Sequence, residues 1–180
     1  MPGESLPEAI LRPLKITDDE AIYSLLSDER VIRYMLFPRF DRERARRFAE
    51  RFQSTAPTGT PPQLVFGIVE SSSDSPVGLC GLDLDERMQQ GEVWYLLGLS
   101  HWGKGLATSA VRQLVARGFE SLKLHRIWAS CLPENDASLR VLQRLGFRHE
   151  GHHRQNLFIQ GQWRDSNTYA VLASEWTAHP

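Results

Sequence analysis

Apolar and polar positions along the chain change period several times, and each change marks an element. Residues 10–14 and 63–70 read as strands, and so does 77–84, with a Ser-rich turn at 71–76 joining the last two. Between the first and second strands, 17–26, 28–35 and 41–52 show helical spacing, with Phe48 and Phe52 one turn apart. Thr17 or Asp18 is expected to cap the first of these, with Glu20 completing a capping box. A turn at 88–91 leads into a strand at 92–97, and an amphipathic helix over 105–122 buries Leu106, Ala110 and Leu114. A strand at 125–132 and a helix at 136–145 follow, the helix stopped by Gly146. The chain closes with a hairpin, 147–158 and 167–173, turning at Gln160, Gly161 and Gln162. Meandering strands in the middle and alternating strands and helices later imply a mixed sheet in an α+β domain.

Composition narrows the class. The chain has 180 residues, 41% of them apolar, which suits one globular domain with a sizeable core. A formal net charge of −1 argues against a general nucleic-acid binder. No basic-then-apolar leader pattern and no apolar run near membrane-spanning length is present, so a soluble cytoplasmic protein is expected, with no membrane partner. Cys80 and Cys131 sit in apolar strand-like runs and read as buried free thiols. The third helix carries Arg42, Arg44, Arg46, Arg47 and Arg51 against Asp41, Glu43 and Glu50. That reads as a salt-bridged solvated face or as a surface for an acidic partner.

The chemistry concentrates at residues 94–108, where an apolar strand runs into a glycine-punctuated turn and then a helix. Glycines let backbone N–H groups approach a ligand, and the helix start adds unpaired N–H groups and the positive dipole end. Gly98, Gly103 and Lys104 fit nucleotide P-loop spacing, but Gly105 replaces the hydroxyl that would hold Mg²⁺. A dinucleotide fingerprint fails at Thr108, where a third small residue is required, and its acidic residue, Glu120, lies in the helix. A pyrophosphate held by backbone amides without a metal fits best. An ordinary tight connection remains the plain alternative.

Trp102-Gly103-Lys104-Gly105-Leu106-Ala107 resembles the pyrophosphate loop of the GNAT superfamily of N-acetyltransferases, with Gly105 and Ala107 at its last two fixed positions. Trp102 departs from the Gln or Arg of the general pattern, yet Trp-Gly-x-Gly-x-Ala-Thr is similar to the branch of ribosomal-protein alanine/serine N-acetyltransferases. A second segment agrees: Asn135-Asp136-Ala137-Ser138 through Gly146-Phe147 resembles that branch's Asn-x-x-Ser-x-Arg … Gly-Phe segment. The resemblance covers about residues 11–174 of a single domain spanning 1–180. It implies a mostly antiparallel sheet of six to seven strands, flanked by four to five helices, whose fourth and fifth strands splay around acetyl-CoA.

The resemblance also implies roles. Leu97, Gly98 and Leu99 would run beside the pantetheine arm, and a backbone N–H near Leu97 would meet the oxyanion. Gly103, Lys104, Gly105, Leu106, Ala107 and Thr108 would hold the pyrophosphate. Asn135 would bond the pantetheine, a role compatible with capping the next helix. The proton-donating Tyr of many members is replaced by Leu142, so Ser138 is the candidate acid, unless it only bonds backbone in the first helical turn. Glu92 is the candidate base, or else a solvent-facing carboxylate. An acidic residue found in the closing hairpin of some members aligns with Leu157 and is absent.

Acetyl transfer from a thioester needs a neutral amine, a stabilised oxyanion and a proton for the thiolate, and no enzyme nucleophile. Without a strong base, a protein α-amine is a better acceptor than a lysine side chain. A small amine such as a polyamine, amino sugar or antibiotic is the alternative, and a non-catalytic acetyl-CoA sensor a third reading; a homodimer is left open. His149, His152 and His153 lack further ligands for a metal set, so no metal is assigned. Trp163, Arg164 and Asp165 are expected on the acceptor side.

Overall fold

The computed structural model describes residues 8–54, 57, 59 and 62–176. In chain order its elements are β1 (Ile10–Arg12), α1 (Asp19–Leu26), α2 (Glu29–Ile32), α3 (Arg42–Arg51), β2 (Gln63–Val69), β3 (Gly78–Asp85) and β4 (Gln90–Leu97). Then come α4 (Leu106–Glu120), β5 (Arg126–Cys131), α5 (Asp136–Arg144), β6 (Arg148–Ile159) and β7 (Gln162–Leu172). The seven strands form one sheet in the order β1-β2-β3-β4-β5-β7-β6. All neighbours are antiparallel except β4 and β5. The expected mixed, mostly antiparallel sheet of six to seven strands is therefore present.

Both faces of the sheet are covered, which is why β2 and β3 read as nearly unbroken apolar runs. On one face α4 and α5 bury Val111, Leu114 and Leu142 against Leu82 and Ile127. On the other, α1, α2 and α3 bury Ile22, Leu26, Ala45 and Ala49 against Val65, Leu79 and Leu96. Cys80 and Cys131 are free and buried, as expected. The arginines of α3 are mostly engaged within the fold. Arg46 and Arg47 pair with Glu50 and Glu43 at 3.0 and 2.6 Å, Arg42 reaches Glu20 of α1, and Arg44 lies over the Phe40 ring.

Several boundaries differ from the sequence reading. Asp18 does not cap α1 with its side chain: residues Ile16–Asp18 form a 3₁₀ turn, and the buried carboxylate accepts from the Arg12 guanidinium at 2.8 Å and the Lys15 N–H at 2.7 Å. The capping box closes one turn earlier than expected, between Lys15 and Asp18, and Arg12 holds the same carboxylate. The helix expected at 28–35 keeps only Glu29–Ile32, because Tyr34, Met35, Leu36 and Phe37 leave it to line a cavity. β4 begins at Gln90 and β7 at Gln162, earlier than expected. The hairpin turn is the pair Gln160-Gly161, with φ of 50° and 80°, the left-handed conformation of a tight type I′ connection. The Pro-, Gly- and Thr-rich stretch 55–62, which by composition is a loop, lies largely outside the described residues.

β3 and β4 approach closely at Gly78. A Cβ there would stand 2.4 Å from the Leu96 carbonyl oxygen, a backbone atom that cannot swing aside. Gly78→Ala should therefore cost about 1–3 kcal/mol, the usual price of overpacking. Urea denaturation checks this; an unchanged midpoint would show that β4 can shift freely.

Candidate active site

The parallel pair β4–β5 is held by only three register positions: Gln90 with Arg126, Gly91 with Ile127 and Glu92 with Trp128. Beyond Glu92 the two strands continue unpaired to Leu97 and Cys131, so the sheet opens into a V. Ladder phase decides which backbone groups face the opening. Gly98 N–H donates to the Val77 carbonyl at 2.9 Å, and Leu97 pairs in register with Gly78. In an antiparallel ladder alternate residues point away, so Tyr95 and Leu97 direct N–H and C=O into the V. The Leu97 carbonyl is taken by the Trp102 indole N–H at 2.7 Å. That leaves the Leu97 N–H as the forward donor of the cleft. Strand geometry stops there, because Leu99–His101 form a 3₁₀ turn and Gly98 N–H is committed to Val77.

The turn before α4 is built as a glycine-dependent cradle. Gly103 and Gly105 have φ of 75° and 82°, the left-handed region that other residues enter at a cost. Ser109 N–H makes the first intrahelical bond, to the Gly105 carbonyl at 3.0 Å. The N–H groups of Gly105, Leu106, Ala107 and Thr108 are thus the unpaired first-turn donors of a helix of 15 residues. Leu106 offers only its backbone here, since its side chain is in the core; Lys104 is exposed outside the cavity lining.

A cavity of about 600 Å³ runs through the V. Gly103, Gly105, Ala107, Thr108, Leu97 and Asn135 line one arm; Tyr34, Met35, Phe37, Phe48 and Glu92 line the other, with Ser138 also on its wall. Asn135 caps α5, its Oδ1 accepting from Ser138 N–H at 3.1 Å, which leaves its amide NH₂ available to a ligand. Ser138 Oγ is hydrogen-bonded to the buried Tyr95 hydroxyl at 2.7 Å, and that phenol also donates to the Ser138 carbonyl at 3.2 Å. Burial pushes the Tyr95 phenol well above its ordinary value. Tyr95 escaped the sequence reading, although strand alternation places it on the same side as Leu97.

Glu92 is half-buried, not solvent-facing. Desolvation, helped by the charge of its cross-strand neighbour Asp83, raises its carboxyl to about 7. Asp83 is held as an acceptor by Trp94 Nε1 at 3.1 Å and Gln63 Nε2 at 3.0 Å. Cys131 borders Ser138, but burial raises its thiol, which suits an inert side chain. Leu157 lines the cavity as an apolar group. Trp163 does not: it is 61% exposed and packs on Phe158 at the hairpin tip. His149 lies against Tyr169, while His152 and His153 bond Asn167 and Thr168, and no acidic, Cys or His cluster of metal-holding geometry occurs among the described residues.

A family model described as acetyltransferase (GNAT) domain matches residues 8–148. The chain belongs to the GNAT acetyltransferase family. It is 33% identical over 168 residues to an uncharacterized N-acetyltransferase, p20, of Bacillus licheniformis, covering 92% of this chain and 93% of that one. It is 35% identical over 173 residues to a probable N-acetyltransferase, YjcK, of Bacillus subtilis, with 90% and 92% covered. The ribosomal protein uS5-alanine N-acetyltransferase of Escherichia coli is 37% identical over 83 residues, 46% of this chain and 43% of that one. Among solved structures, a GNAT-family acetyltransferase from Bacillus anthracis superposes with a TM-score of 0.83 at 26% identity, covering 95% and 98%. A spermidine N-acetyltransferase from Vibrio cholerae in complex with CoA and spermine shares the fold with a TM-score of 0.81 at 20% identity, covering 93% and 97%. The chain is an N-acetyltransferase, and the GNAT family draws its acetyl group from acetyl-CoA. The unpaired N–H groups before α4 and along β4 fit the diphosphate and pantetheine of that donor.

Gly105→Val would place a β-branched residue at φ 82° and a side chain in the cradle. Acetyl-CoA affinity should fall at least tenfold, about 1.4 kcal/mol, by calorimetry on folded protein. A second outcome follows from Glu92. Its folded carboxyl, at about 7 against an ordinary 4.5, binds a proton more tightly than the unfolded chain does, so its contribution to stability declines as pH rises through that window. Glu92→Gln should melt higher than the parent at pH 8.5 and alike at pH 4.5; a gain equal at both values contradicts the buried charge.

Proposed function

We propose that the chain transfers acetyl from acetyl-CoA directly to a primary amine, and that the acceptor is the α-amine of a protein N-terminus. The supporting observation is Glu92, a carboxyl raised to about 7 at the acceptor arm of the cavity. An α-ammonium near pKa 7.7–8.0 lies about one unit above such a base, roughly 1 kcal/mol. A lysine near 10.4 lies more than three units above, roughly 4.6 kcal/mol. Glu92, directly or through water, therefore matches an α-amine. Around Glu92 the wall carries Met35, Phe37 and Phe48, and of the other carboxylates lining the cavity Asp83 is occupied by Trp94 and Gln63 and Glu134 by Arg164.

The freed amine attacks the thioester carbonyl, whose oxygen becomes an oxyanion within reach of the Leu97 N–H. Collapse breaks the C–S bond, the cationic nitrogen formed by attack releases its remaining extra proton to solvent, and the thiolate takes the Ser138 Oγ–H proton. As that proton leaves, the Tyr95 phenol turns its hydrogen from the Ser138 carbonyl to Oγ, which stabilises the serine oxygen until solvent reprotonates it.

Thiol release with peptide α-amines, polyamines, amino sugars and antibiotics tests the reading. Turnover on peptides at the highest kcat/KM supports it; a preferred small amine, or acetyl-CoA binding without turnover of any amine, overturns it. Glu92→Gln should abolish the acidic limb near pH 7 and lower kcat about 10²-fold or more. The loss should be greater on a lysine-like amine than on an α-amine, and equal losses would remove Glu92 as base. Ser138→Ala and Tyr95→Phe should each lower kcat while sparing acetyl-CoA affinity. The double variant should be no slower than the worse single one, since the two hydroxyls act as a unit.

A further inference from the structure

A second, polar cavity of about 250 Å³ adjoins the acceptor arm and shares Tyr34 and Leu132 with it. Its other walls are Arg33, from the segment after α2, and Ile159, Gln160, Gln162 and Arg164, from the tip of the β6–β7 hairpin. Two guanidiniums and two amides therefore meet where a bound acceptor would extend beyond its amine. No carboxylate lines this cavity. Arg164 is paired with Glu134, which reaches it from the loop before α5. Arg33 has only the Tyr34 ring beneath it, 4.9 Å from the centroid, and among the described residues no carboxylate pairs with it. The Tyr34 face holds that cation beside the acceptor path, with its N–H fork unspent.

The charge pattern is thus bipolar. Asp83, Glu92, Glu134 and Asp136 line the first cavity, whereas the neighbouring one is lined by Arg33 and Arg164, with Arg33 unmatched by a carboxylate among the described residues. We propose that this second cavity binds a carboxylate on the acceptor a short distance from the amine it presents. The chemical class is an acidic N-terminal peptide, with Asp or Glu among the residues following the acetylated one. This deepens the α-amine reading above and rests on it. The same arrangement repels a polyamine, whose second ammonium would approach Arg33.

The test measures kcat/KM on amidated tetrapeptides of one sequence, with Asp, Asn or Lys scanned through positions 2 to 4. Asp should be favoured over Asn at one of these positions by roughly three- to fivefold at low salt, as expected for one partly screened ion pair, and Lys disfavoured. The preference should shrink at 0.5 M salt. Arg33 is exposed and outside both cores, so Arg33→Ala and Arg33→Glu leave the fold intact. Arg33→Ala should erase the preference, and Arg33→Glu should reverse it toward Lys. A free-acid dipeptide compared with its amide separates a side-chain carboxylate from a main-chain one. A gain confined to the free acid reassigns the cavity to an amino-acid carboxylate and overturns the peptide proposal. Acetylated peptides with no acidic preference, or a preference untouched by Arg33→Glu, overturn this inference while leaving the α-amine reading in place. Failure of every peptide beside turnover of small amines defeats that reading instead.

Discussion

Three register positions hold β4 to β5, and everything functional depends on their ending at Glu92 and Trp128. A parallel pair that continued would spend the Tyr95 and Leu97 backbone groups inside the sheet. By parting, the strands leave polar backbone in a partly apolar cleft, where an unpaired N–H or C=O is costly. One of these groups is satisfied internally, by the Trp102 indole on the Leu97 carbonyl. The rest await a ligand that can behave like a strand. Flanking helices keep the gap from closing: α4 packs under β3 and β4, and α5 starts at the mouth with Asn135 as its cap.

The same cleft separates two electrostatic settings a few residues apart. On β4, Glu92 sits beside Asp83 and gives up its charge readily, while Tyr95 is so desolvated that it keeps its proton. Strand alternation puts them on opposite faces, so one strand presents a proton acceptor and a hydroxyl donor to different ends of one cavity. One side of the cavity offers backbone donors before α4, and the other side chains from α2, α3 and the hairpin.

Much of this was legible from residue order. Asp41 caps α3 through the Arg44 N–H at 2.7 Å, and Gly146, at φ 77°, ends α5, both as local chemistry dictates. The glycine turn before α4 is equally local. What escaped depends on distant partners. Asp18 closes the capping box of the 3₁₀ turn rather than capping α1, and Arg12 joins the buried carboxylate as a partner. Gly91 belongs to β4 because Leu124 and Leu82 close over it. Glu92 is already a candidate base in the sequence, but its raised carboxyl depends on burial and on Asp83, which only β3 brings alongside. Tyr95 and Ser138 lie 43 positions apart, a separation at which no periodicity connects them. Tyr34 and Met35 read as the end of a helix over 28–35, yet their side chains line the cavity.

The cradle before α4 is written in main chain, and this sets how such an enzyme can diversify. Its grip needs only that two positions tolerate a left-handed backbone and that a helix begin on time. Trp102, Lys104 and Leu106 are free to serve other ends: the first fastens β4, the second meets solvent, the third fills the core. Under the proposed function, donor and acceptor recognition draw on separate alphabets, one of backbone conformation and one of side-chain identity. Residues facing the acceptor can be exchanged for a new amine without renegotiating the hold on the donor.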